Sequence, residues 1–242
     1  MSAIFEEIDR RDTPIGVVSV RRRVEPTLGV DVYEVKLDDE FLMSSLFTVA
    51  EIALADLGLA TWPGTEPERL DVVVGGLGLG YTARAALGDP RVRTCAVVEA
   101  LDAVIDWHAR HLLPMAEAMT GDPRCRFVHG DFFALALGDG PLVPDGPARV
   151  HAVLLDIDHS PRHLLSPAHA PFYEAAGLTR LADRLHPGGG FGLWADGAPD
   201  AAFLATLRAV FATATAHTVK FPNFYTGGES SSTVYVATTA LA

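Results

Sequence analysis

Asp71-Val72-Val73-Val74-Gly75-Gly76-Leu77-Gly78-Leu79-Gly80-Tyr81 decides the fold. A short, wholly apolar run passes into a glycine cluster and then into a segment of helical character. The run reads as a strand buried on both faces, as in a parallel sheet. Glycines at this junction allow a tight turn, a close approach of backbone to ligand, and amides directed outward at a helix N-terminus. Nineteen residues beyond Gly80, at the end of the next apolar run, Val97-Val98-Glu99-Ala100 supplies a carboxylate. An acid at this distance can accept both hydroxyls of a ribose. The strand, loop, helix and acid together predict a nucleotide site built from Gly75, Gly76, Gly78, Gly80, Glu99 and Ala100. Gly76-x-Gly78-x-Gly80 fits S-adenosylmethionine enzymes, and Gly78-x-Gly80-x-x-Ala83 fits nicotinamide enzymes, so the loop alone leaves the nucleotide open.

Outward from the loop, apolar runs alternate with helical stretches. Strands are predicted at 71–75, 94–98, 125–128, 150–156 and 190–194, and helices at 81–87, 101–112, 132–137 and 171–185. This alternation implies right-handed crossovers and a mostly parallel, twisted sheet with helices on both faces, the Rossmann-like α/β class. A helix at 201–211 and two strands, 216–221 and 233–237, end the chain as an antiparallel edge pair. The segment from Gly138 to Pro147, rich in Gly and Pro, reads as a surface excursion.

The first third differs. Ile15–Val20 and Val30–Leu37 alternate as strands around the turn residues Glu25 to Gly29, a small β-hairpin section. Leu46 to Leu59 has apolar residues at helical spacing, with Glu51 and Asp56 expected on the opposite, solvated side. Trp62 to Pro67 reads as a linker. The expected division is an N-terminal hairpin section with its linking helix, residues 1–64, and a nucleotide-binding catalytic domain, residues 65–242.

Composition narrows the class. The 242 residues carry 19 basic and 31 acidic side chains, a formal net charge of -12, which opposes a nucleic-acid partner. The cluster Arg10, Arg11, Arg21, Arg22 and Arg23 reads as a solvated strand face. Met1 to Arg11 contains no long apolar stretch, and no window approaches a membrane span, so a cytoplasmic protein without a membrane partner is expected. Cys95 and Cys125 read as small core residues, and no cysteine or histidine pair has zinc-motif spacing.

Later segments carry more chemistry. Val128-His129-Gly130-Asp131-Phe132-Phe133 follows the third strand. There Asp131 can accept from an adenine amine while the Phe132 ring packs the base. Val153-Leu154-Leu155-Asp156-Ile157-Asp158-His159-Ser160-Pro161 ends a central strand in two carboxylates and an imidazole. Ligands of open parallel sheets bind at such strand ends, so Asp156 is the candidate base or ammonium anchor, with Asp158 and His159 beside it. Asp156 and Asp158, with Asp196, also loosely resemble the metal-holding acids of catechol-type O-methyltransferases, but no metal is expected because the N-terminal hairpins do not match that group.

This order of motifs resembles the class I S-adenosylmethionine-dependent methyltransferase fold, and within it the spermidine synthase family, over nearly the whole chain. The resemblance makes Gly75 to Gly80 the nucleotide loop, Glu99 the ribose acid, Asp131 the adenine acid and Asp156 the catalytic aspartate. Phe172-Tyr173 matches a Phe-Tyr pair of that family. It also makes Tyr225 and Glu229, in the loop after Phe221, contacts to the acceptor. The departures are equally specific. Gly78 stands where the family has an aspartate for the donor's aminopropyl end. Met43 and Ser45 stand where it offers a tyrosine and a glutamate to a diamine. Because the loop acid is missing, the expected reaction is methyl transfer from S-adenosylmethionine to a small-molecule acceptor. Aminopropyl transfer from decarboxylated S-adenosylmethionine to an amine is the alternative. A nicotinamide oxidoreductase and a non-catalytic nucleotide-binding protein are the remaining readings, and a homodimer is among the expected assemblies.

Overall fold

The computed structural model describes residues 5–62 and 69–242. The N-terminal section is a four-stranded antiparallel sheet of β1 (Phe5–Thr13), β2 (Gly16–Glu25), β3 (Val30–Leu37) and β4 (Glu40–Ser44) in sequential order. The expected hairpin is its centre. The two outer strands were not expected, because β1 is rich in charge and β4 has only five residues. The arginines do not form a free anion patch. Arg21 and Arg23 both pair with the buried Glu34, Arg22 with Glu6 and Asp31, and Arg11 with Asp9 and Asp106.

Helix α1 (Val49–Ala60) leads to the second layer system. Here β5 (Leu70–Gly75), α2 (Tyr81–Gly88), β6 (Val92–Glu99), α3 (Asp102–Ala109), α4 (Ala116–Thr120), β7 (Cys125–His129), α5 (Phe132–Leu137) and β8 (Val150–Leu155) follow in order. A 3-10 turn at Pro167–Tyr173, α6 (Ala175–Ala182), β9 (Leu185–Asp196), α7 (Ala201–Val210), β10 (Thr213–Asn223) and β11 (Gly228–Thr238) complete the chain. The seven strands lie in the order β10-β11-β9-β8-β5-β6-β7. From β9 to β7 all pairs are parallel, while β11 and β10 are antiparallel, so the predicted edge pair is present. Chain order reverses between β5 and β8, and that switch point opens the crevice where such sheets bind ligands.

Two differences have plain causes. The helix predicted at 171–185 is split, because Pro171 lies in the 3-10 turn and Glu174 is extended before α6 begins. The Gly138–Pro147 segment has no regular element, yet Leu142 and Val143 are buried, so it is anchored rather than free. The expected boundary between residues 64 and 65 lies outside the described residues. Helix α1, expected with the N-terminal section, packs on β8, β9 and β11 of the larger sheet.

The sheet has a hydrophobic core on each face. One joins α1, α2, α3 and α4 and includes Val18, Val20 and Val35 of the N-terminal sheet; the other lies under α5, α6 and α7. The first is tight where α1 meets the sheet: a Cβ added at Gly58 would stand 2.4 Å from Leu154 Cδ2, and one at Gly192 would stand 2.9 Å from Leu54 Cδ1. Leu154, with no exposed surface, fills the gap that these glycines leave. Leu154→Ala is expected to cost about 2–5 kcal/mol of unfolding free energy, read from urea denaturation.

Candidate active site

A cavity of about 440 Å³ opens at the switch point. Its floor is built from the end of β5 and the end of β8. The Asp156 N–H donates to the Gly75 carbonyl at 2.8 Å, extending the parallel pairing by one step past the strand. Gly76, at φ +93°, lies so close that an added Cβ would be 2.2 Å from the Asp156 carbonyl oxygen. Only glycine fits this contact, which sets the glycine loop beside the acid. Gly78 also lines the cavity, whereas Gly75 and Gly80 are packing glycines; Gly80 at φ +92° caps α2 and lies against Met119 and His108.

Glu99 is held where the sequence places it. One carboxylate oxygen accepts from the Leu77 N–H and the other from the Leu101 N–H, both at 2.9 Å. Burial raises its proton affinity against these backbone donors. Asp131 caps α5 through Oδ1, which accepts from the Phe133 and Ala134 N–H groups. Ala100 and Phe132 line the cavity together with Glu99 and Asp131, and Phe133 stacks on His169 with ring centroids 3.8 Å apart.

The acids of the floor are Asp156 and one that sequence reasoning misplaced. Thr82 donates its hydroxyl to Asp156 Oδ2 at 2.8 Å, and burial outweighs that bond to push the carboxyl up to about 6. Glu51 is the correction. It does not face solvent with Asp56; it shares the buried stripe of α1 with Leu54, Ala55 and Gly58, and its side chain reaches the cavity. Burial, then the charge of Asp156, pushes Glu51 up to about 8. The positions 51, 54, 55 and 58 have the i, i+3, i+4, i+7 spacing of one helix face, the signal by which it could have been found.

The remaining expected residues separate. His159 lines the cavity and places Nε2 3.0 Å from Glu40 of β4, tying the N-terminal sheet to the strand end. Asp158 is corrected: it is buried and does not line the cavity. Its carboxylate accepts from the Leu165 N–H and Tyr173 hydroxyl and lies 2.9 Å from His169 Nδ1. Its part is to hold the loop that brings Leu165, Ser166 and His169 to the wall.

Tyr225 and Glu229 are corrected too. Neither lines the cavity; Tyr225 is exposed and takes a hydrogen bond from Arg23, while Glu229 is exposed and pairs with Lys220. Phe221, expected to be ordinary packing, does line the cavity, as do Phe47 and Trp194. Among the described residues the buried Trp194 indole N–H has no hydrogen-bond partner. The places of the resemblance's missing contacts are filled by packing: the Met43 thioether accepts from the Leu79 N–H at 2.8 Å and stands 2.3 Å from where a Gly78 Cβ would be. Ser45 accepts from the Tyr33 N–H instead of facing an amine.

Together the described lining residues include five carboxylates, Glu51, Glu99, Asp131, Asp156 and Asp196, and no Lys or Arg. Among the described residues no helix is long and apolar enough to cross a membrane.

A parallel sheet that binds at its switch point, with a glycine loop and a strand-end acid, defines the Rossmann-like fold of class I methyltransferases. No family model matches the sequence, and no curated protein matches it. Among solved structures, a spermidine synthase from Thermotoga maritima superposes with TM-score 0.72 at 18% identity, over 98% of this chain and 74% of that one. A spermidine synthase in complex with the transition state analogue AdoDATO superposes with TM-score 0.73 at 18% identity, over the same shares. The chain has the spermidine synthase fold, N-terminal sheet included.

Two outcomes test the site. Gly76→Ala is expected to abolish nucleoside binding, measured by calorimetry, because the added carbon must displace the Asp156 backbone. The second concerns pH. A carboxyl raised on folding holds its proton more tightly in the folded chain, so its contribution is complete below pH about 4.5 and is lost as pH rises through about 8. Glu51→Gln should therefore gain more than about 1 kcal/mol over the unaltered protein at pH 9 and nothing at pH 4, read by urea denaturation.

Proposed function

We propose that this protein is an enzyme that transfers the aminopropyl group of decarboxylated S-adenosylmethionine to the nitrogen of a small amine. The observation that carries this reading is the charge of the cavity: five carboxylates and no Lys or Arg among its described lining residues. S-adenosylmethionine would bring its own carboxylate among these acids, without a cation to receive it. The decarboxylated donor brings a sulfonium and an ammonium, both of which gain from such a field. Methyl transfer rested on the loss of the loop acid at Gly78. Glu51 supplies a carboxylate from a different element, which removes the reason to prefer it. The shared fold with spermidine synthases supports the same choice.

In this reading the Gly76–Gly78 backbone and Glu99 hold the ribose, Asp131 and Phe132 the adenine. Asp156 faces the reacting nitrogen. A sulfonium is already a good leaving group, so the enzyme's task is alignment and removal of one proton from the attacking ammonium. An acid near pKa 6 in a dry site is ionised at neutral pH and still basic enough to take it. The test is by-product analysis. With decarboxylated donor and a panel of primary amines, methylthioadenosine should accumulate. S-adenosylhomocysteine formed from S-adenosylmethionine, with no methylthioadenosine from the decarboxylated donor, would establish methyl transfer instead. Asp156→Asn should lower kcat by about 10²–10⁴-fold while nucleoside affinity persists.

A further inference from the structure

Glu51 and Asp156 reach one cavity from separate elements, the first turn of α1 and the end of β8. Thr82 of α2 lies between these elements. Its hydroxyl gives its single proton to Asp156 Oδ2 at 2.8 Å, while its oxygen stands 3.4 Å from the Glu51 backbone carbonyl. The groups facing Glu51 are Asp156, the Thr82 hydroxyl and the Tyr81 phenol, which is held by Ser45. From β9 and β11, Asp196 and Ser232 face the same cavity. No Lys or Arg among the described lining residues neutralises the two acids, and two buried carboxylates that line one cavity and feel each other's charge cannot both ionise freely.

We propose that Glu51 and Asp156 form one proton-sharing carboxyl pair, with Glu51 a second catalytic residue that sets the charge offered to the attacking amine. Near neutral pH the pair keeps one proton and one negative charge, the directions of both shifts agreeing with this state. The acceptor ammonium gives one proton to the ionised member. The nitrogen lone pair then attacks the methylene carbon beside the donor sulfur; the C–N bond forms, the C–S bond breaks, and its electron pair stays on sulfur as a neutral thioether. The product nitrogen remains a secondary ammonium. The pair, now carrying two protons, returns one to solvent as product leaves. At higher pH the pair loses its resident proton and presents two charges, which strengthens its hold on an ammonium. The electrophile in this sequence rests on the aminopropyl-transfer reading, while the pair itself does not.

Carbon-13 carboxyl NMR of the ligand-free protein tests the pair directly. The unaltered protein should show two carboxyls titrating well above the ordinary range, near 6 and near 8. Asp156→Asn should lower the upper titration, because the opposing charge is gone; Glu51→Gln should remove it and keep the lower one. Two ordinary carboxyl titrations near 4, or a Glu51 titration unmoved by Asp156→Asn, would overturn the proposal. The second arm uses propylamine as the probe, titrated calorimetrically into the protein saturated with methylthioadenosine. Its affinity should rise about tenfold between pH 7 and pH 9 in the unaltered protein and stay flat in Glu51→Gln. An equal rise in both proteins would contradict the pair. If the transfer reading alone is wrong, the NMR titrations persist while decarboxylated donor yields no methylthioadenosine.

Discussion

The contact between Gly76 and the Asp156 carbonyl is the constraint on which the site depends. Two neighbouring parallel strands end at the same level, and the backbone of one turns directly over the backbone of the other. That closeness forbids any side chain at position 76 and puts the glycine loop and the candidate base in one crevice. The rest of the cavity is added around it. β6 brings Glu99, α5 brings Asp131, and α1 crosses the sheet to bring Glu51. The N-terminal sheet closes the space with Val35, Leu37, Leu42 and Met43, and the His159–Glu40 contact fastens it.

Electrostatics then give the cavity its character. Burying a carboxylate without a partner is costly, and a protein usually answers with a cation, with hydrogen bonds, or with a retained proton. Glu99 is answered by backbone amides and Asp158 by a full set of donors. Among the described residues, Asp156 has only Thr82 and Glu51 has its own backbone N–H. These two are left with their proton affinities raised above the ordinary carboxyl range. The net charge of -12 is thus partly a property of the site, since several of the acids sit where a cation would bind.

Much of this was legible in the sequence, for physical reasons. The apolar runs at 71–75 and 150–155 had almost no solvent face to encode, so they could only be buried parallel strands, while the runs at 94–98 and 125–128, nearer the sheet's edge, each carry an exposed polar residue, Thr94 and Arg126. The acids that end them were equally plain, because a charge after such a run lies at the sheet's edge. Residues off that pattern were harder. Glu51 interrupts an apolar stripe, and a charged residue in a helix is read first as solvated. Asp158 looks like Asp156 in sequence, two residues on, but the loop after it folds back and occupies its oxygens. Tyr225 and Glu229 have the chemistry of a binding loop, yet β10 and β11 extend further than expected, to Asn223 and from Gly228, and carry the tip away from the cavity. Phe221, within β10, and Ser232, within β11, remain at the wall.

The account's central claim is that the cavity prefers a donor without a carboxylate. Calorimetric affinities for S-adenosylmethionine and its decarboxylated form, measured side by side at neutral pH, test it most directly. The account predicts tighter binding of the decarboxylated form, with the difference shrinking in Glu51→Gln at alkaline pH. Equal affinities, or tighter binding of S-adenosylmethionine, would contradict it.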